Sequence, residues 1–402
     1  MNNNYIYDSK EHYINDSIPS EYSDYSECVT DITNIGWTLG NDCPYKCKHC
    51  YSMSAREKGM GLTNDIVDKV ISQLKKIKPK TINLGGNEPI FTNGINPQKS
   101  LLPYIINQIV SNGIEVGLTT SGITAIYLEK YHNKEFKMLN DIDISIDSPY
   151  EIEHNNNRGK DIFRLAREAL ELCVKYNIER TIIMCAMNWN FTRDRIEKCV
   201  QLAKEYGANV RINTLRPTEK QHMELVPTFE QYYEGFSLLM KLCNSIDLTD
   251  PMLSGVTKFK ESKRCPCGRT SFRIHSITPD GKIPISPCVY LHDYKVGNLL
   301  TDDIFELINS SQFKTFRIRN EHPELVKGCS DCDMKDVCGG GCASRAYLYN
   351  VHKTGKKSMF EKDPFCLKEK VVEEKFPQNP SIDNNTNLVH KDYLCTWIGQ
   401  PR

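Results

Sequence analysis

Between residues 35 and 215 the chain changes rhythm repeatedly. Short β-rich runs alternate with longer helical stretches: IGWTL (35–39), TINLGG (81–86), IEVGLTT (114–120), DIDISID (141–147), RTIIMCAM (180–187) and NVRINTL (209–215) are the strand candidates. LTNDIVDKVISQLKKI (62–77) places apolar residues at 66, 67, 70, 71 and 74 behind Thr63, the one-face spacing of a capped amphipathic helix. DIFRLAREALELCVKYN (161–177) and TRDRIEKCVQLAKEYG (192–207) repeat that spacing, the second stopping at Gly207. Alternation of this kind specifies parallel βαβ units with right-handed crossovers.

Six such units fall short of the eight of a closed barrel. The expected fold is therefore α/β, a partial (β/α)6 TIM-like barrel of parallel strands followed by a small cysteine-rich domain. In barrels of this kind the chemistry sits at the C-terminal ends of the strands. The chain divides into a polar N-terminal extension (1–34), the barrel (35–225), a helical linker (226–262), a metal-organised domain rich in cysteine, glycine and short turns (263–375) and a tail (376–402). The tail's Pro, Asn and Asp content reads as mobile. Its end, YLCTWIGQPR, is too apolar for plain linker, which leaves docking open.

Acidic and basic residues balance at 51 each, which removes the whole-chain electrostatic argument for a nucleic-acid or membrane-surface partner. The N-terminus has no basic region followed by an apolar core, so it is not a signal peptide, and no run is apolar enough to span a bilayer. The expected setting is a reducing cytoplasm. There, 17 cysteines point to metal or catalysis rather than to disulfides. Cys43, Cys47 and Cys50 form one group. Cys265, Cys267, Cys288, Cys329, Cys332, Cys338, Cys342 and Cys366 form another. Cys173, Cys185 and Cys199 read as small buried hydrophobes, and Cys28 and Cys395 as uninvolved thiols.

The first group lies in IGWTLGNDCPYKCKHCYS (35–52), directly after the first strand candidate. A structural zinc site is closed by four protein ligands, and placing both His49 and Cys50 on one ion is awkward. Three thiolates on an iron–sulfur cubane instead leave one iron open to a small molecule. This CxxxCxxC loop after the first strand resembles the radical S-adenosylmethionine (SAM) superfamily. In that family the open iron chelates the amino and carboxylate groups of SAM, and an electron from the cluster breaks a C–S bond to give methionine and a 5′-deoxyadenosyl radical. Other strand ends carry the same resemblance. GGNEP (85–89) is similar to the glycine-glycine-glutamate element that meets the SAM amino group, with Gly86 and Glu88 matching and Asn87 standing for the second glycine. LTTSG (118–122) is similar to a Thr-Asn-Gly turn. DISIDSPYEIEHNNNRG (143–159) offers Ser145 and Arg158 for the SAM carboxylate and ribose. NVRINTLRP (209–217) resembles the segment that packs on the adenine. His49 stands where the family often has Tyr or Phe, a flat ring near the adenine.

The second group contains CxxCxxxxxCxxxC (329–342) and resembles the SPASM domain of radical SAM peptide-modifying enzymes, which typically holds two auxiliary 4Fe–4S clusters. The resemblance implies an outer cluster on Cys329, Cys332, Cys338 and Cys366. It implies an inner one on Cys267, Cys288 and Cys342, with Cys265 as a candidate fourth ligand. If only one of Cys265 and Cys267 ligates, the inner cluster keeps an open iron. Paired structural zincs are the alternative, but zinc cannot relay electrons.

The expected activity is radical modification of a ribosomally synthesised peptide: a crosslink, a thioether or another backbone or side-chain change. Maturation of a folded protein or a quinone-cofactor precursor is the first alternative, and a non-catalytic iron–sulfur electron-transfer scaffold the second. Val289 follows Cys288 where sulfatase maturases carry an Asp, which removes the proton acceptor of formylglycine chemistry. Only 34 residues precede the first strand, so a leader-binding module is expected to be a separate protein or absent. A flavodoxin- or ferredoxin-type protein is the expected electron donor.

Overall fold

The computed structural model describes residues 22, 29–52, 61–253, 264–366 and 388–402. Its first six strands are β1 (Asn34–Trp37), β2 (Thr81–Leu84), β3 (Glu115–Thr120), β4 (Asp141–Ser145), β5 (Glu179–Ala186) and β6 (Asn209–Thr214). They pair in chain order, all parallel. Each lies within a few residues of its sequence-derived run. The first predicted helix spans Asn64–Ile77, and Thr63 accepts the Ile66 N–H at its start. The other two span Phe163–Tyr176 and Arg193–Glu205.

Period two decides the layering. Ile82, Val116, Ile142, Ile144, Ile182 and Val210 are fully buried against Val70, Leu74, Ala166, Leu170 and their helical neighbours. Each such side chain contributes roughly 1.5–3 kcal/mol. The alternate positions, among them Asn34, Asn83, Asp141, Asp143 and Arg211, are polar yet also buried. Buried polar groups need partners, so something must fill the lumen they face.

The chain's own end fills it. Residues 226–262 were expected to be helical linker. The helix Phe229–Leu242 is there, but it runs straight into a strand, β7 (Cys243–Leu248). Two further strands come from the cysteine-rich region: β8 (Ser271–Ile274) adds parallel to β1, and β9 (Ile285–Ser286) pairs antiparallel with β8. The tail's apolar end, for which docking was left open, docks as a strand of the sheet. Residues 376–387 lie outside the described residues, but Trp397–Pro401 form β10, inserted antiparallel between β6 and β7. The ten-stranded order is β7-β10-β6-β5-β4-β3-β2-β1-β8-β9.

Just before β10 the tail plugs the lumen. His390 Nδ1 lies 2.8 Å from Asp141 Oδ2 and His390 Nε2 3.2 Å from Asp143 Oδ2, while Arg211 donates to Asp143 at 2.7 Å. Tyr393 bonds Arg273, and the Thr396 hydroxyl takes a bond from Arg211. Gly36 and Gly117 make the room. A Cβ at Gly117 would lie 2.8 Å from the His390 ring, and one at Gly36 would overlap the Tyr393 hydroxyl. Among the described residues the tail thereby fills the N-terminal end of the barrel.

Candidate functional site

At the other, open end of the barrel lies a cleft. Cys43, Cys47 and Cys50, all half-buried, line it together. Their loop is tied to the helix Glu151–Arg158: Lys46 N–H donates to the Arg158 carbonyl at 3.3 Å and Lys48 N–H to that of Asn157 at 3.0 Å. Cys50 N–H folds back on the Cys47 carbonyl at 3.2 Å, which closes a turn between the two cysteines. Burial pushes the Cys47 thiol up to about 12 despite the opposing Arg158 charge. A bare thiol there stays protonated, so iron would have to displace the proton.

The sequence-predicted residues divide on inspection. Gly86 has φ +101°, and a Cβ there would lie 2.4 Å from Thr38 Oγ1, so the position requires glycine. Asn87, the departure from the family element, ties strands together: its amide donates to the Gly40 carbonyl and its oxygen accepts from Ser52 at 2.9 Å. The Ser52 hydroxyl also lies 3.4 Å from the Cys50 sulfur. Glu88 lines the cleft, but its carboxylate is already taken. It accepts from the hydroxyls of Thr120, Ser121 and Thr124 and from the amides of Ser121 and Thr124. Those five bonds fill the carboxylate's acceptor capacity, so in this arrangement Glu88 braces the turn after β3. Ser145 stands at the cleft-facing end of β4.

Arg158 is held by a residue the sequence reading did not single out. Its Nε donates to Asp147 Oδ2 at 2.6 Å, and Asn157 donates to the same oxygen at 2.9 Å. Burial pushes the Asp147 carboxyl up, but Arg158 and then His49 more than offset this, and the net shift is downward. His49 is buried and lowered to about 4 by that burial. Its Nδ1 faces the Asn157 amide at 3.1 Å, which assigns Nδ1 as acceptor and leaves the Nε2 proton toward Asp147 Oδ1, 3.7 Å away. The His49 ring thus faces its supporting network as well as the cleft. Cys185, read as a buried hydrophobe, instead lines the cleft from β5, whereas Cys173 and Cys199 are in the core as expected.

The second domain supplies part of the cleft wall. Tyr290 meets Tyr51 edge-on with centroids 5.1 Å apart, and the Arg216 guanidinium lies over the Tyr290 ring at 5.0 Å. Arg216 also reaches past the cleft, donating to the Cys342 sulfur at 3.6 Å and to the Cys395 carbonyl at 3.1 Å. A single buried cation therefore links the open site to the late cysteines.

Those cysteines form two groups. Cys329, Cys332, Cys338 and Cys366 line one small cavity. Cys265, Cys267, Cys288 and Cys342 are buried in one cluster with aromatic neighbours. The turn that separates the groups is Gly339–Gly340–Gly341, with φ of +62°, +73° and +84°. Arg319 holds its carbonyls, bonding that of Gly341 at 2.9 Å and that of Gly340 at 2.7 Å. The two cysteines of CGGGC, Cys338 and Cys342, are sent to different groups this way. Cys395, read as uninvolved, also lies in the inner group, its sulfur 2.6 Å from that of Cys265. Cys28 lies outside the described residues.

A parallel barrel with an open three-thiol loop at its mouth, joined to a domain with two further thiol groups, defines the iron–sulfur proteins that keep one iron for a small ligand. Residues 37–203 match the Radical SAM superfamily, and residues 265–333 match SPASM, an iron–sulfur cluster-binding domain. A radical SAM domain and a SPASM domain are thus present in the chain, and these domains imply iron–sulfur clusters and SAM as cofactors. It is 24% identical over 345 residues to the mycofactocin maturase MftC of Mycolicibacterium smegmatis, covering 83% of this chain and 82% of that protein. The fold is similar to that of native anSMEcpe with bound AdoMet, with a TM-score of 0.61 at 18% identity over 84% of this chain and 95% of that one. It is also similar to Streptococcus suis SuiB bound to the precursor peptide SuiA, with a TM-score of 0.58 at 13% identity over 84% of this chain and 76% of that one. Among the described residues no helix is long and apolar enough to cross a membrane.

Proposed function

We propose that the chain is a peptide maturase that cleaves SAM reductively and abstracts hydrogen from a residue of a ribosomally made precursor peptide. The observation that carries this reading is the convergence of Cys43, Cys47 and Cys50 on a cleft whose wall is shared with the cysteine-rich domain through Arg216 and Tyr290. When bound, the cluster and SAM supply a low-potential electron and a 5′-deoxyadenosyl radical. The chain's own residues do the rest. The three cysteines hold the cluster, and the Asp147–Arg158–Asn157–His49 network fixes their loop. Tyr51 and Tyr290 keep water from one side of the cleft, where a radical must be shielded. Ser145, at the cleft edge, is placed to meet the polar end of SAM.

The peptide class is supported by the names of the relatives: one is a maturase, and another was solved with a precursor peptide. Val289 is buried beside Cys288 and offers no carboxylate, which speaks against formylglycine chemistry. Cys329, Cys332, Cys338 and Cys366 would hold an outer auxiliary cluster, and the buried group an inner one. A flavodoxin- or ferredoxin-type donor and a separate leader-binding protein complete the proposal.

The test uses anaerobically reconstituted full-length protein, dithionite and SAM. 5′-Deoxyadenosine is expected from the wild type and not from Cys47→Ala. With a deuterated candidate peptide, deuterium is expected in the 5′-deoxyadenosine. Absence of any 5′-deoxyadenosine from the wild type would leave an electron-transfer scaffold as the better reading.

A further inference from the structure

Five thiols, not four, converge in the buried group. Cys265, Cys267, Cys288 and Cys342 come from the cysteine-rich domain, and the fifth, Cys395, comes from the tail just before β10. The sulfurs of Cys265, Cys267 and Cys395 all lie within 4.8 Å of one another. The Cys395 thiol also meets that of Cys342, and Cys267 meets Cys288. Cys395 and Cys267 thus each meet three of the other thiols.

Its position is not a loose approach of a chain end. The backbone on both sides of it is held. The Leu394 carbonyl accepts from Thr249 Oγ1 at 2.6 Å, the Cys395 carbonyl from Arg216 at 3.1 Å, and the Thr396 carbonyl from the Asp250 amide at 3.0 Å. Ahead of this stretch, Tyr393 and His390 are locked in the lumen, and behind it β10 is paired on both edges. A thiol fixed this way is aimed before any metal arrives.

We propose that Cys395 supplies the fourth thiolate of the inner iron–sulfur cluster, beside Cys267, Cys288 and Cys342, so that this cluster has no open iron. The inference rests on the cluster reading of the SPASM domain given above. Cys265 and Cys267 are separated only by Pro266, and once Cys395 is counted one of that pair is surplus to a four-thiolate cubane. Cys267 meets both Cys288 and Cys395, whereas Cys265 meets Cys267 and Cys395, so the surplus residue is Cys265. It follows that the inner cluster ties the C-terminal strand to the cysteine-rich domain and relays electrons rather than binding substrate.

The experiment starts from full-length Cys43→Ala/Cys47→Ala/Cys50→Ala protein, reconstituted anaerobically, in which only the late cysteines hold iron. About eight irons per chain are expected from two four-iron clusters. Markedly fewer would sink the cluster reading itself, independently of Cys395. In this background Cys265→Ala should leave the reduced electron paramagnetic resonance spectrum unchanged and insensitive to added cyanide. Cys265→Ala/Cys395→Ala should alter the inner-cluster signal and make it respond to cyanide, or lose about four irons. Cys265→Ala/Cys395→Ser, with an oxygen in place of the sulfur, should keep the iron but shift the signal. Circular dichroism and retention of the outer-cluster signal report that each variant is folded. The proposal is overturned if the double variants reproduce the Cys265→Ala spectrum and its indifference to cyanide, or if Cys265→Ala alone opens the cluster. Peptide mapping that found a Cys265–Cys395 disulfide in iron-loaded protein would overturn it equally.

Discussion

The two ends of the barrel lumen are built on opposite plans. The open end takes its thiols from near neighbours in sequence, three cysteines within eight residues, and braces them with the turn after β2 and a distant helix bound to the loop backbone. The closed end is assembled from the farthest parts of the chain, with His390 on Asp141 and Tyr393 on Arg273. Local construction leaves the cysteine loop partly exposed and free to take a ligand. Non-local construction buries charge and pairs it, His390 with Asp141 and Arg211 with Asp143. The difference teaches where stability and chemistry reside. The open end carries the reactive groups, while the closed end and β10 hold the strands in register around them.

The comparison breaks first on Cys47→Ala. Loss of all detectable 5′-deoxyadenosine is expected, with about eight of about twelve irons retained because the late cysteines are separate. Iron falling toward zero would show that the two regions are not independent. Trp397→Ala attacks the other plan. Trp397 is fully buried in β10, its indole donating to Ser245 at 3.2 Å. A loss of about 3–5 kcal/mol is expected in urea unfolding of the iron-free protein. Gly117→Ala sets a methyl 2.4 Å from Asp141 Oδ1 and against the His390 ring, with an expected cost of about 1–3 kcal/mol. The same assay should show little change in SAM cleavage at temperatures where the variant is folded.

A pH measurement sharpens the comparison further. His154, buried, accepts the Asp147 amide at 3.2 Å and is lowered to about 4, by burial first and by the Arg158 charge next. Between about 6.5 and 4 the unfolded chain takes up a proton that the folded one refuses, so this contribution to stability is full above that window and is lost as pH falls through it. His154→Gln should flatten the fall in iron-free protein by about one proton per chain. The smallest expected effect is Thr63→Ala, about 1 kcal/mol from one helix cap, with no effect on either lumen end.

The barrel was legible because its signals are short-range. Each of the six strands and three helices declares itself within a window of its own length, and Thr63 caps the helix where the spacing puts it. Cys43, Cys47 and Cys50 needed only a loop to meet. β10 carried no such signal. It is five residues long, contains Gly399 and Pro401, and pairs with residues some 150 to 190 positions away. β7 was hidden for a related reason, since it follows a helix without any turn residue between. Asp147 sat in plain view within DIDISIDSP, but only its burial between Arg158 and His49 marks it as the support of the cysteine loop.

The amino-acid sequence by itself determined the alternation, the faces of the helices, the cysteine loop and the late run of clustered cysteines, because periodicity and close spacing act over a few residues. Tertiary structure alone decided that the polar side of the strands is sealed by the chain's own end, that Glu88 braces a turn, and that Cys395 joins the buried thiols. Those outcomes depend on which distant groups can satisfy buried charge and hydrogen-bonding capacity, and no local pattern encodes the partner.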